Sequence, residues 1–252
     1  MTYNQNPSFP PPPAGGQPMP AGQPKIEATQ ALQIAWRHYT RQLAPWLLSM
    51  LAFFVIVFVA FIIMVAVAPK TTKVAAGGSS GYGVAEVTTF TPGGWFIAVL
   101  VYVIVLIAGL VFSVNCYRNA VRTVQGESIS VGDFFKVAGI GKTLGMCILY
   151  SLVVTVGTFL CIIPGIFAAI AFLFVPFAAI MNPQLGVADT FRHSYETLKT
   201  NPGQIILAGV LIWLITLVAS FTVIGGLFVA PLGYLVFAVL YCVAAQRPFV
   251  AL

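Results

Sequence analysis

Residues 143–181 read TLGMCILYSLVVTVGTFLCIIPGIFAAIAFLFVPFAAIM, a run of 39 residues without one charged side chain. A membrane-crossing helix needs roughly 20 consecutive, mostly apolar residues. The run is therefore long enough for two crossings, and the pair Pro164-Gly165 interrupts it near the middle. We interpret it as two transmembrane helices, over 143–163 and 166–181, joined by a tight hairpin turn.

Other segments of the chain have the same character. Further crossings are predicted over 46–68, over 95–117 and over the two halves of 204–246, which breaks at Gly225-Gly226. The total is six transmembrane segments. The fourth, 166–181, is short and carries Pro176, so a re-entrant segment is the alternative there.

The composition of the whole chain supports this interpretation. Of the 252 residues, 59% are hydrophobic and only 7% are charged, whereas a soluble domain has about 45–50% apolar and about 25% charged residues. This excludes an ordinary soluble enzyme and a nucleic-acid-binding protein, despite the net charge of +6. We predict an all-α membrane protein whose six transmembrane helices form three helical hairpins, each preceded by a cytoplasmic amphipathic helix.

The first 25 residues differ from the rest. Residues 1–25 are rich in Pro, Gly and Gln and nearly uncharged, which predicts a disordered tail with polyproline II character. The prolines at 10–13 could instead dock a partner. Residues 26–252 are then the membrane domain. The first long apolar run begins only after about 44 residues, so we expect no signal peptide; cleavage after Ala66-Val67-Ala68 is the alternative.

The distribution of positive charge predicts the orientation. With six crossings, 10 of the 12 Lys and Arg residues fall on the side of the two termini, and Lys70 and Lys73 fall on the other. Cytoplasmic loops carry the excess of Lys and Arg. We therefore expect a multi-pass protein of the plasma (inner) membrane with both termini in the cytoplasm and an external loop over 69–94.

The two hairpins also match each other. Residues 162–167 align with residues 223–228 at an offset of 61, and the same offset pairs Thr143 with Gln204 and Phe134 with Tyr195. We interpret the chain as three units of one architecture, at about 26–118, 129–181 and 186–246. Chance similarity between apolar runs is the alternative.

The stretch before each hairpin has amphipathic character. Aromatic and aliphatic residues recur at helical spacing with Arg and Lys opposite, and Ser130 to Asp133 fits a capping box. Helices of this kind bind the membrane surface and its anionic lipid headgroups; packing under the transmembrane helices, a membrane-protein partner or a second copy of the chain are the alternatives. The candidate contact residues are Trp36, Arg37, Tyr39, Arg41, Phe134, Phe135, Arg192, Tyr195 and Lys199.

The sequence offers no chemistry inside the membrane. All six acidic residues and both histidines lie outside the predicted crossings, which argues against a proton-coupled pump. We predict no catalytic residue, no metal site and no cofactor, and we expect the four cysteines to be small core residues. The function that we expect is a scaffold, assembly factor or accessory subunit; a transporter or lipid-handling protein with a path between kinked helices is the alternative.

One stretch resembles a known family. The run Cys161-Ile162-Ile163-Pro164-Gly165-Ile166-Phe167, then Pro176, then Gly186-Val187-Ala188-Asp189 with Ser194, Leu198, Lys199 and Asn201, is similar to bacterial integral membrane proteins of the YciC type and to the membrane domain attached to some glycerophosphodiester phosphodiesterases. The resemblance covers about 129–246 well and 26–118 in layout. It implies a fold and no catalytic residue, because no soluble phosphodiesterase domain is present.

Overall fold

The structure is a computed structural model that describes residues 26–67, 70–78, 81–89, 92–222 and 225–251. Its helices are α1 (Ala28–Arg41), α2 (Leu43–Ala66), α3 (Pro92–Val124), α4 (Gly141–Leu160), α5 (Ile162–Ala171), α6 (Val175–Met181), α7 (Val187–Thr200), α8 (Pro202–Ala219) and α9 (Gly225–Ala244). The predicted tail, residues 1–25, and Ala68 of the cleavage motif lie outside the described residues.

Six helical segments are long and apolar enough to cross a membrane, which confirms the all-α membrane class. They are α2, α3, α4, the pair α5–α6, α8 and α9. Helix α3 has 33 residues and is therefore about 50 Å long, whereas a bilayer core is about 30 Å thick. One end of α3 must project beyond the hydrocarbon.

The chain between α2 and α3 contains a β-hairpin. Strands β1 (Lys70–Gly78) and β2 (Gly81–Thr89) pair antiparallel, with Lys70 opposite Thr89 and Gly78 opposite Gly81. The sequence predicted a loop here. Thr and Val favour strands, and these residues recur on both sides of the glycine-rich stretch.

The two ends of the helical bundle differ. We call the end that holds Ile26 and Val250 the basal end. Hydrogen bonds there join the segments at which α1, α4, α7 and α8 begin to one another and to the segments at which α3, α6 and α9 end. The opposite, distal end holds the α4–α5 turn and the α8–α9 connection. Helices α5 and α6 together run from the distal to the basal end, so the fourth segment crosses the bundle rather than re-entering it.

The hairpin between α4 and α5 turns three residues earlier than the sequence predicts. The turn lies at Cys161, which is extended (φ −168°, ψ 145°), and Pro164 and Gly165 lie inside the first turn of α5. Proline is tolerated there because the first backbone N–H groups of a helix have no intrahelical acceptor. Gly165 serves close contact instead: a Cβ atom on it would lie 2.6 Å from the Cα atom of Thr158.

The second predicted turn, Gly225-Gly226, opens α9. The backbone N–H of Gly225 donates to the Thr222 carbonyl oxygen at 3.0 Å. A Cβ atom on Gly225 would lie 2.9 Å from the Ala219 carbonyl carbon, whereas one on Gly226 would meet nothing within 4 Å. Only the first glycine of the pair is therefore required by packing.

The stretch before α4 is shorter than the amphipathic helix predicted for it. The capping box is present: the backbone N–H of Ser130 donates to Oδ2 of Asp133 at 2.8 Å. A five-residue 3-10 helix (Val131–Phe135) follows, and the backbone then extends. Gly139, with a φ of +71°, interrupts any continuation of a right-handed helix from here into α4.

The predicted internal repeat has a partial counterpart in the helix boundaries. Helices α4 and α8 begin at Gly141 and Pro202, 61 residues apart. The following segments differ, because α5 and α6 are separated at 172–174 whereas α9 is continuous. The repeat therefore stays a prediction.

Packing is concentrated in the basal half. The largest fully buried side chains include Tyr39, Trp46, Phe134 and Tyr241, all at that end, and the ring centroids of Trp46 and Phe134 are 4.9 Å apart. Towards the distal end the apolar side chains are exposed, as at Phe159 (92%). Hairpin α4–α5 packs on itself and is joined to the other helices through α3, α6 and α7.

Candidate functional surface at the basal end

The basal end carries most of the charge of the protein. Nine Lys and Arg residues of the described chain and five acidic residues lie there, which leaves a formal excess of four positive charges. The remaining described charges, Lys70, Lys73 and Glu86, belong to the β-hairpin. A cationic rim of this kind attracts anionic lipid.

Asp133 organises the chain between α3 and α4. Its carboxylate accepts hydrogen bonds from the Ser130 hydroxyl at 2.9 Å and from Nζ of Lys136 at 2.5 Å, and Nη1 of Arg122 lies 3.5 Å away. The Lys136 hydrogen bond is the main reason that the pKa of Asp133 lies well below its usual value. Arg122 also pairs with Glu127 at 2.7 Å. The connection is thus fixed by charge-assisted bonds.

Two side chains of α3 hold the segment that follows. The side-chain amide of Asn115 donates from Nδ2 to the carbonyl oxygens of Phe134 at 3.1 Å and Lys136 at 2.8 Å. The guanidinium of Arg118 donates to the carbonyl oxygen of Ala138 at 3.3 Å. The extended backbone therefore obtains partners from side chains, since it has no helical ladder of its own.

A buried polar network joins α6, α7 and α9. Nδ2 of Asn182 donates to the Tyr241 hydroxyl at 2.9 Å, and Nε2 of His193 lies 3.2 Å from the same hydroxyl. The Arg247 guanidinium donates to Oδ1 of Asn182. Burial, followed by the nearby Arg247 charge, lowers the pKa of His193, so the neutral imidazole is favoured.

The residues after α9 tie α1 to α3. The backbone N–H of Val250 donates to the Val124 carbonyl oxygen at 3.0 Å, and Nε2 of His38 donates to the Val250 carbonyl oxygen at 2.8 Å. Burial lowers the pKa of His38. Helix α1 is held at its other end by Gln204, whose Oε1 accepts from the backbone N–H of Ala28 at 2.8 Å.

The structure separates the candidate contact residues into two groups. Tyr39 and Phe134 are buried in the core, so their prediction as external contacts is wrong: each lies on the inward side of a segment that packs against the bundle. The exposed positions are Trp36, Arg37, Arg41, Phe135, Arg192, Tyr195 and Lys199.

The exposed candidates on α7 form local pairs. Nε of Arg192 lies 2.9 Å from Oε1 of Glu196, as the i,i+4 spacing predicted. Nζ of Lys199 lies 4.2 Å from the ring centroid of Tyr195. The face of α7 that packs inward is instead rich in hydroxyls, with Thr190, Ser194 and Thr197 buried. Tyr195 therefore lies on the exposed side of α7.

Three residues with side-chain amides, Gln42, Asn115 and Asn182, form hydrogen bonds that the sequence does not predict. Besides Asn115 and Asn182, Gln42 donates from Nε2 to the Glu127 carbonyl oxygen at 2.7 Å and accepts from the Ile129 backbone N–H at 3.0 Å. In the sequence, each of these amides lies close to one end of a long apolar run, which is the pattern that could indicate such a role.

Among the described residues, the side chains that commonly bind metal ions are dispersed. No group of three or more His, Cys, Asp or Glu residues lies close enough there to hold a metal ion. The cysteines are free; Cys116, Cys147 and Cys242 are buried, and Cys161 is exposed at the distal turn.

Comparisons find distant relatives of unassigned function. The chain is 24% identical over 215 residues to the uncharacterised protein Rv2560 of Mycobacterium tuberculosis, and equally to the uncharacterised protein Mb2590 of Mycobacterium bovis. The match covers 83% of this chain and 64% of each relative, so the chain spans less than two thirds of their length. No family model and no solved structure matches the chain.

Proposed function

We propose that this chain is a non-enzymatic scaffold or accessory subunit of a membrane complex, located in the plasma membrane with both termini in the cytoplasm. The basal end is then cytoplasmic, and its exposed aromatic and basic residues contact the membrane surface. Membership of the YciC-type family and the three-unit repeat belong to the same proposal. The longer mycobacterial relatives suggest that related chains carry additional parts.

The observation that carries the proposal is the uneven packing of the six helices. All three hairpins contribute residues to the main core at the basal end, although the buried apolar residues of α4 lie in two smaller clusters. Towards the distal end, large apolar side chains such as Phe159, Leu160 and Phe221 are exposed. A rigid base with open helix faces is suited to receiving transmembrane helices of other proteins, because helix association in lipid depends on van der Waals packing between faces.

A second candidate, transport or lipid handling, is favoured by the broken fourth segment. Helix α5 ends at Ala171 and α6 begins at Val175, and Ser194 of α7 caps the break by accepting the Phe174 backbone N–H at 3.2 Å. Pro231 lies within α9. Interrupted helices release backbone groups that side chains can bond, as Ser194 does here, or that can line a substrate path.

Site-specific photo-crosslinking in living cells tests the scaffold proposal. A crosslinking amino acid is placed at Leu152 of α4 or Trp213 of α8, which are exposed, and at Leu235 of α9, which is buried, as the matched control. We expect one recurrent protein adduct from the exposed positions and none from Leu235. Adducts with lipid alone from every exposed position would contradict a scaffold and favour the second candidate.

A further inference from the structure

A short exposed segment lies between two buried anchors at the basal end. Residues 135–139, here called the interfacial segment, follow the buried Phe134 and precede the buried Ile140. Helix α4, a membrane-crossing helix, begins at the next residue, Gly141. Because α4 must enter the hydrocarbon from its first turns, the covalent connection to α4 places the interfacial segment at the level of the lipid headgroups.

The side chains of the interfacial segment suit that level. Val137 is 68% exposed and Phe135 is 38% exposed, although both are costly to leave in water. Aromatic and aliphatic side chains at the headgroup boundary are instead partly buried in lipid.

Three basic residues lie in or beside the segment. Arg118 on α3 and Lys142 on α4 place their charged groups against backbone carbonyl oxygens, of Ala138 for Arg118 and of Pro183 and Leu185 for Lys142. Lys136 lies within the segment and is partly neutralised by Asp133. Arg122 and Glu127 neutralise each other nearby. Arg118 and Lys142 therefore supply positive charge that no ion pair among the described residues offsets.

The neighbouring face of α4 has room for an acyl chain. Gly141 and Gly145 are exposed, and a Cβ atom on either would meet no other atom within 4 Å. Phe135, Val137, Lys142 and this open face follow one another along the chain, and Arg118 of α3 is joined to the same stretch by its hydrogen bond to the Ala138 carbonyl oxygen.

We propose that the interfacial segment, with Arg118 and Lys142, forms a binding site for an anionic phospholipid. The phosphate group is bound by the guanidinium of Arg118 and the ammonium of Lys142, and an acyl chain lies along α4 beside Gly145. Asn115 keeps the site in place by binding the carbonyl oxygens of Phe134, just before the segment, and of Lys136, within it. The inference deepens the proposed membrane-surface contact and rests on the basal end facing a bilayer leaflet.

The test measures lipid retention by the purified full chain. Phosphatidylglycerol and phosphatidylcholine are titrated in mild detergent, and bound lipid is counted by native mass spectrometry. We expect the wild type to prefer phosphatidylglycerol, and R118Q/K142Q to lose that preference by about tenfold or more, since each basic residue near an anionic surface contributes roughly a fivefold effect. K70Q/K73Q, which removes the same charge from strand β1 and leaves the basal end intact, should stay within about twofold of the wild type.

A charge-conserving variant, R118K/K142R, guards against misfolding. It should retain the wild-type preference, and equal thermal unfolding of all variants confirms that they fold. Equal preference in the wild type and R118Q/K142Q, or equal loss in K70Q/K73Q, would overturn the site. Displacement of phosphatidylglycerol by inorganic phosphate would show a free-anion site and overturn it too. Since no partner protein is present, failure of the scaffold proposal leaves this measurement unchanged.

Discussion

At the scale of single residues, Gly165 is where the chain has least room. The α4–α5 hairpin closes on it, and a Cβ atom at Gly157 on the facing helix would lie 3.1 Å from the Gly165 Cα atom. Small residues permit such close helix approach in membranes.

We expect Gly165→Ala to destabilise the protein by about 1–3 kcal/mol, because overpacking a tight contact forces the backbone to shift. Gly145→Ala is the matched control on the open face of α4 and should leave stability unchanged or slightly raised. Thermal unfolding in a single detergent measures both. Equal effects of the two substitutions would show that the hairpin does not close as described.

His38 gives the molecule a pH dependence. Burial lowers its pKa below the usual 6.5, and the Arg41 charge adds to this, whereas the hydrogen bond to Val250 and the Thr123 backbone oppose it. The folded protein then binds fewer protons at His38 than the unfolded chain does, so stability rises with pH. This contribution is fully present above about pH 6.5 and is lost as the pH falls below it.

Accordingly, the wild type should lose more stability than His38→Gln when the pH falls from about 7.5 to about 5.5. Glutamine can still donate a hydrogen bond to the Val250 carbonyl oxygen but does not titrate. His193 shifts in the same direction and retains its share in both proteins. Asp133 stays charged throughout this range, because its pKa is lowered from 3.8. Parallel stability–pH curves for the two proteins would refute the role of His38.

At the scale of elements, the connection between α3 and α4 depends on one amide. Asn115 is buried, and its Nδ2 serves two carbonyl oxygens. Asn115→Leu should cost about 1–3 kcal/mol for each carbonyl oxygen left without a donor. Hydrogen exchange at residues 135–139 should rise selectively. Unchanged hydrogen exchange at residues 135–139, with unchanged global stability, would show that Asn115 does not hold this segment in place.

The helices themselves were largely predictable from the sequence, and their faces were not. An apolar run of about 20 residues is stable in lipid as an α-helix, because a helix satisfies its own backbone hydrogen bonds. The predicted bounds of α2, α4, α8 and α9 therefore lie within a few residues of the observed ones. The break at 172–174 and the turn at Cys161 could not be placed, because Pro164 is as compatible with a first helical turn as with a turn between helices.

The candidate contact residues show the same limit. Periodicity indicated which residues share a face of α1 and α7, but not which face the rest of the chain would cover. Tyr39 was therefore assigned to an external surface although it is buried, whereas Tyr195 is 44% exposed. The amides of Asn115 and Asn182 carry no period at all, and only the tertiary structure shows what they bind.

At the scale of the whole molecule, the structure combines a tightly bonded basal end with apolar helix faces that are exposed towards the distal end. Hydrogen bonds at the basal end link residues as distant in sequence as His38 and Val250. The distal apolar faces are satisfied by lipid or by other transmembrane helices. The central claim is that all six helical segments cross one bilayer with the basal end on the cytoplasmic side.

Cysteine accessibility in intact cells tests this claim most directly. In a Cys161→Ser background, single cysteines replace Ser79, in the chain between β1 and β2, or the exposed Gln184, in the basal connection between α6 and α7. A membrane-impermeant maleimide should label position 79 in intact cells and position 184 only after the membrane is permeabilised. Labelling of both positions from outside, or of position 184 alone, would contradict the account.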